Sequence, residues 1–143
     1  MNSVVRRLKK RDSDAGNLMA RRKRILLIGI NEADSELIGE HLSNCEYQIR
    51  TVDVNVFALA EVRVFQPHLV LLGNCPETFD TFELCKSIKQ DSISLVLVLM
   101  SLNDVKDIKR SVESGTDDFL SLPVNREELR QRVKNLLKLR DVV

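Results

Sequence analysis

The sequence reads as one doubly wound α/β domain on a five-stranded parallel sheet, and three observations carry that reading. Ile25-Leu26-Leu27-Ile28, Leu69-Val70-Leu71-Leu72 and Leu95 to Met100 are continuous apolar runs rather than alternating ones, the pattern of strands covered by helices on both faces. Segments with apolar residues three or four apart separate the runs and read as helices. The 143 residues give room for one hydrophobic core, because ordinary domains run to about 100–150 residues before they split.

Each element follows in order. After the first strand, Ala33, Leu37, Ile38 and Leu42 repeat at helical spacing, opened by Asn31 or by Ala33-Asp34 with the acidic first turn that a helix dipole favours. Tyr47 to Val52 form a second strand. A second helix sets Val56, Leu59, Val62 and Phe65 on one face and stops before Pro67. Past the third strand, Phe82, Leu84, Cys85 and Ile88 mark a third helix. A fourth, following the strand Leu95 to Met100, carries Val105, Ile108 and Val112 at helical spacing and ends at Ser114-Gly115, where glycine can take the left-handed cap. Asp118 to Leu122 make the fifth strand. The last helix follows Pro123, with Asn125 as N-cap and Leu129, Val133, Leu136 and Leu137 inward. Five β/α units joined by right-handed crossovers suit the flavodoxin-like strand order 2-1-3-4-5.

Charge divides the chain into an arm and a body. Residues 1–24 hold nine Lys/Arg against Asp12 and Asp14, a net of +7, whereas the remainder holds 13 Lys/Arg against 19 Asp/Glu, a net of −6. We take residues 1–23 as a basic arm, 24–140 as the folded domain and 141–143 as a tail. The arm lacks a sustained apolar period and contains the breaker-rich patch Asp12 to Asn17, so folding on its own is not expected. The longest apolar run, Leu95 to Met100, is far short of the roughly 20 residues that cross a bilayer. No apolar segment of export-signal length lies near the start, and a cytoplasmic location is the expectation. Cys45, Cys75 and Cys85 are odd in number and lack C-x-x-C spacing, so no disulfide framework or zinc site is indicated.

A ligand crevice in an open α/β sheet lies beyond the carboxyl ends of the strands. Those ends read Gly29-Ile30-Asn31, Gly73-Asn74-Cys75, Met100-Ser101 and Ser121-Leu122-Pro123. Four segments form a further pattern: Ile25 to Ile28 with the helix that follows; Pro67-His68-Leu69-Val70-Leu71-Leu72; Phe79 to Cys85; and Glu113-Ser114-Gly115-Thr116-Asp117-Asp118-Phe119-Leu120-Ser121-Leu122-Pro123-Val124. Over nearly all of Lys23 to Arg140 this pattern resembles the CheY-like receiver domain of bacterial response regulators. The resemblance implies two-component or phosphorelay signalling, with an acidic pair holding magnesium at the end of the first strand. It also implies a phosphoacceptor aspartate ending the third strand, a hydroxyl ending the fourth and a lysine before the proline of the fifth. At those positions this chain has Gly29 and Ile30, Gly73, Met100 and Leu122.

A phosphoryl acceptor needs a nucleophilic oxygen, and magnesium needs hard oxygen ligands. Glycine, isoleucine, methionine and leucine offer none. Glu32, Asp34, Glu77 and Asp80 stand outside the register that aims side chains into the crevice. Ile30, Met100 and Leu122 are expected to pack on one another there, an apolar-ligand pocket being the sharper alternative. The pattern is similar to the degenerate second receiver of PleD-type diguanylate cyclase regulators, which implies a pseudo-receiver serving as a dimerisation adaptor.

The resemblance also implies pairing through the face of the fourth helix, fifth strand and fifth helix. There the chain presents Lys109, Arg110, Asp117, Asp118, Glu128, Arg130 and Arg132, either cross-pairing with another receiver or signalling protein, a homodimer included, or simply solvated. The alternative function is nucleic-acid association through the arm, whose basic residues can neutralise phosphates, although it has no aromatic residue for stacking. His41 and His68 read as boundary and pre-strand residues, and Cys75 as inert. No nucleophile, base and oxyanion or metal site stand together. A binding module that is no enzyme, uses no cofactor and binds no metal is therefore the expectation.

Overall fold

The computed structural model describes residues 22–42, 47–73, 80–100 and 105–142. The order is β1 (Lys23–Ile28), α1 (Glu32–His41), β2 (Tyr47–Val52), α2 (Ala58–Phe65), β3 (Leu69–Leu72), α3 (Thr81–Asp91), β4 (Leu95–Leu99), α4 (Val105–Glu113), β5 (Asp118–Leu120) and α5 (Arg126–Val142). All strands are parallel, in the order β2-β1-β3-β4-β5. Ile25 stands opposite Ile49 and Leu69, and Leu69 opposite Leu95, so residues of one parity share a face.

That parity divides the core into two layers. Ile25, Leu27, Leu69, Leu71, Leu97, Leu99 and Leu120 pack against Ile38 and Leu42 at α1 and against Leu129, Val133, Leu136 and Leu137 of α5. The other face, with Leu26, Ile28, Val70, Leu72, Val96 and Val98, meets Ala58, Val62 and Phe65 of α2 and Cys85 and Ile88 of α3. Each fully buried side chain of this size stabilises the fold by about 1.5–3 kcal/mol relative to exposure, which explains why the strands admit no polar residue between positions 25 and 28 or 69 and 72.

Polar caps fix where the helices start. Asn31 Oδ1 accepts from the Asp34 N–H at 2.8 Å, Asp80 Oδ1 from the N–H groups of Phe82 and Glu83 at 2.9 and 3.3 Å, and Asn125 Oδ1 from that of Glu128 at 3.0 Å. Such caps satisfy donors that the first turn leaves unpaired.

Three elements depart from expectation. Val56 precedes α2 and is exposed; the Asn55 side chain holds a turn there by accepting from the Phe57 N–H at 2.8 Å, and Ala58 takes the buried position. The fifth strand stops at Leu120 rather than Leu122, because its partner β4 ends at Leu99, opposite Leu120. The third departure is α4. Ile108 is 41% exposed and Val112 66% exposed, while Ser111 and Ser114 are buried. Ser111 of α4 and Ser114 just beyond it thus take the buried positions, and Ser114 lies close enough to Cys85 of α3 to lower the pKa of that thiol.

Candidate functional site

The crevice at the carboxyl ends of the strands is built from the first turns beyond β1 and β3. Gly29 leaves β1 at φ +68°, a left-handed conformation that glycine adopts without strain. The Gly73 N–H donates to the Ile28 carbonyl at 2.9 Å, bringing the two turns together. A Cβ at position 73 would lie 2.6 Å from the Gly29 carbonyl oxygen and 2.8 Å from Ile30 Cγ1. Backbone thus occupies the space from which a side chain at position 73 would start.

What remains is a cavity of about 190 Å³ lined by Gly29, Ile30, Asn31, Asp34, Gly73, Leu99 and Leu122, smaller than the roughly 300–1,000 Å³ of most small-molecule sites. Ile30 and Leu122 both line it. Two corrections concern the other walls. Met100 turns to the opposite layer, against the α2 and α3 core, and Leu99 supplies the β4 wall; strand parity, which puts Leu99 on the face of Ile25 and Leu27, was the signal for it. Asp34 lies inside the crevice lining rather than outside its register. Its Oδ2 accepts from Asn31 Nδ2 at 2.9 Å, so the one carboxylate among the described lining residues is tied to the helix cap.

Magnesium takes oxygen ligands in an octahedral set and in phosphoryl-transfer sites is held through one or two carboxylates plus phosphate. Gly29, Ile30, Gly73, Leu99 and Leu122 contribute no side-chain oxygen, and among the described residues no three His, Cys, Asp or Glu converge. The described lining does not fit the ion. Asn74, Cys75 and Glu77 lie outside the described residues, as do Cys45 and residues 1–21 of the arm.

The charged residues of the α4, β5 and α5 region divide into two groups. Asp118, Glu128 and Arg132 come together: Arg132 Nη1 donates to both Asp118 carboxylate oxygens at 2.9 and 2.8 Å, and its Nε donates to Glu128 Oε1 at 3.2 Å. Lys109 faces Glu113 at 3.9 Å. Arg110, Asp117 and Arg130 point elsewhere. Arg110 pairs with Asp80 and lies over the Phe82 ring, 4.8 Å from its centroid. Asp117 bonds Lys89 at 2.8 Å and accepts from the Val96 N–H at 2.7 Å. Arg130 Nε donates to the His41 carbonyl at 3.0 Å. The sequence reading missed the exposed Ile108 and Val112 as components of this surface.

Burial pushes the Asp80 carboxyl up, but Arg110 and the two capping N–H groups outweigh it and hold the carboxyl below its ordinary range. Burial raises the Cys85 thiol, more than Ser114 and Lys89 lower it, and so keeps it protonated and unreactive.

Residues 25–134 match the response regulator receiver domain family. The chain is 30% identical over 121 residues to the DNA-binding dual master transcriptional regulator RpaA of Synechocystis sp., covering 82% of this chain and 50% of that protein. It spans about half the length of the curated relatives it matches. Among solved structures, the signal receiver domain of a signal transduction histidine kinase from Syntrophus aciditrophicus superposes with a TM-score of 0.73 at 27% identity, covering 81% of this chain and 90% of that one. The chemotaxis protein CheY4 of Vibrio cholerae, at 18% identity, shares the fold with a TM-score of 0.71 over 80% of this chain and 98% of that one. No helix among the described residues is long and apolar enough to cross a membrane. With the strand order, the crevice at the strand ends and the match over residues 25–134, the chain belongs to the response regulator receiver domain family.

Proposed function

We propose that this receiver is a pseudo-receiver that is not phosphorylated and acts in two-component or phosphorelay signalling through protein contact, as a binding module without catalytic activity. One observation carries the reading: position 73 is a glycine whose missing Cβ is replaced by the Gly29 carbonyl and Ile30. The acceptor oxygen is thus absent, and the room for a side chain that could supply one is filled. An adaptor role like that of the second receiver in PleD-type regulators follows from the same loss.

The contact surface we assign is α4 with β5 and α5. Ile108 and Val112 form its apolar part, and the Asp118, Glu128, Arg132 and Lys109, Glu113 groups supply charges of both signs around it. A surface carrying both signs can pair with its own copy about a twofold axis, so another receiver, and first a second copy of this chain, is the partner. Magnesium with beryllofluoride should leave the amide NMR spectrum unchanged. Light scattering should show a mass that rises with protein concentration, and Ile108→Lys should suppress that rise. A beryllofluoride-dependent shift at Gly73 and its neighbours would refute the reading.

A second reading has its own support. The net charge of +7 over residues 1–24 and relatives described as DNA-binding regulators favour nucleic-acid association through the arm. Gel-shift affinity that falls with salt and disappears on deleting residues 1–23 would support it, and equal affinity without them would end it.

A further inference from the structure

A second concavity lies at the other end of the sheet, at the foot of β1, β3 and β4. It is an open groove of about 500 Å³ between the end of α2 and the end of α3, within the size range of small-ligand sites. Its polar wall is unbalanced. Arg63 Nε bonds Asp91 Oδ2 at 2.5 Å, linking α2 to α3. Arg24 is the second guanidinium, and no carboxylate among the described residues pairs with it. Among the described residues, two permanent cations therefore face one anion.

The backbone holds Arg24 in place. Gln66 sits in the left-handed region at φ 50°, ψ 59°, a conformation that costs a non-glycine residue about 1–2 kcal/mol. There its carbonyl accepts from Arg24 Nε at 2.9 Å. The Arg24 N–H donates to His68 Nδ1 at 2.9 Å, so the neutral imidazole carries its proton on Nε2. The apolar wall consists of Pro67 and Ile93, the latter 76% exposed. A cation fixed by a backbone contact, a second held by Asp91 and an exposed isoleucine match a ligand with a charged end and an apolar body.

We propose that this groove binds a carboxylate attached to an apolar group, with the Arg24 and Arg63 guanidinium forks on the carboxylate and Ile93 and Pro67 against the apolar part. Planar guanidinium groups match the two oxygens of a carboxylate. Asp91 is then the internal competitor for Arg63, and a bound carboxylate loosens the link between α2 and α3. The ligand's carboxylate belongs either to a free organic acid or to the C-terminus of a peptide. The inference does not depend on whether the crevice at the opposite end accepts phosphate.

The full chain is titrated at constant ionic strength with benzoate, with a dipeptide ending in phenylalanine, with the amide of that dipeptide and with inorganic phosphate, followed by calorimetry and amide NMR. Saturable binding is expected for benzoate or for the free-acid dipeptide, with shifts at Arg24, Gln66 to His68 and Asp91 to Ser94. Binding of benzoate identifies a free acid, and binding of the dipeptide but not benzoate identifies a peptide terminus. Arg63→Gln should weaken binding roughly tenfold, the scale of a lost charge-assisted hydrogen bond. Asp91→Asn should tighten it about threefold by removing the competitor, a direction that partial unfolding cannot imitate. Lys134→Gln, exposed on α5 across the sheet from the groove, should change nothing. Absence of saturable binding by either carboxylate, equal binding of the amide or phosphate, or affinities unchanged in both groove variants would overturn the proposal.

Discussion

An aspartate at position 73 would bring its Cβ to 2.6 Å from the Gly29 carbonyl oxygen, and backbone cannot yield as a flexible side chain can. Gly73→Asp should therefore destabilise the domain by about 1–3 kcal/mol, as overpacking of a filled site does, read from the urea midpoint. Gly39 has no heavy atom within 4 Å of where its Cβ would lie, so Gly39→Ala in α1 should stabilise by about 0.5–1 kcal/mol through helix propensity alone. Asp80 gives a pH-dependent case. Its carboxyl is held below the ordinary range in the folded state, so its contribution is present above the unfolded pKa of about 4 and is lost as pH falls through the folded value. Urea midpoints measured from pH 7 down to pH 3 should fall more steeply for the wild type than for Arg110→Gln. Salt should narrow the difference, because the pair is largely exposed. At this scale the sequence disclosed residue types at the strand ends but not their orientation. It shows that side chains at positions 29, 30, 73 and 122 lack oxygens, but it does not show that Leu99 rather than Met100 walls the crevice or that Asp34 lies within its lining. Strand parity settles the first. The second depends on where the Asn31 cap aims the first helical turn, which no periodicity records.

Helix α4 shows where hydrophobic pattern and environment part. Val105, Ile108 and Val112 have the spacing of a core-facing stripe, yet the described members of that stripe, Ile108 and Val112, face outward and Ser111 and Ser114 face inward. Spacing identifies an amphipathic helix but does not say whether its apolar face meets this chain or another one. The serines provide the test. Ser111 Oγ is buried without a hydrogen-bond partner, whereas the Ser114 hydroxyl donates to the Ser111 carbonyl at 2.8 Å. Leaving a hydroxyl buried and unpaired costs about 1–3 kcal/mol. Ser111→Ala should accordingly leave stability unchanged or raise it by up to about 1 kcal/mol. Ser114→Ala should lower it by about 0.5–1.5 kcal/mol, and chemical denaturation of the two variants side by side resolves the sign. Helices α1 and α5 were legible because their caps and their apolar faces agree: Asn31 and Asn125 accept from the first turn, and Ile38 and Val133 lie inside; α3 was legible from its face alone, with Cys85 and Ile88 inside, and its Asp80 cap was not read.

At the scale of the whole molecule, the sheet order was readable because continuous apolar strands can be satisfied only by helices on both faces, and right-handed crossovers leave few arrangements. Charge was less readable. Arg110, Asp117 and Arg130, which sequence position assigned to one face, bond instead to Asp80, to Lys89 and the Val96 N–H, and to the His41 carbonyl. Each of those partners lies at least 20 residues away in sequence, a separation that local spacing cannot convey. The exposed apolar pair on α4 leads to a prediction for the proposed assembly: light scattering should show a mass that rises with concentration for the wild type and stays monomeric for Ile108→Lys together with Val112→Lys. Folding stability should change by less than about 0.5 kcal/mol, as for other surface substitutions.

The central claim is that the crevice above β1 and β3 cannot take a phosphoryl group. Intact-protein mass spectrometry after incubation with acetyl phosphate and magnesium tests it most directly, alongside a receiver that retains its aspartate as a positive control. The expected result is an unmodified mass for this chain while the control gains phosphate. A phosphate adduct on this chain, mapped to any residue lining the crevice, would contradict the claim.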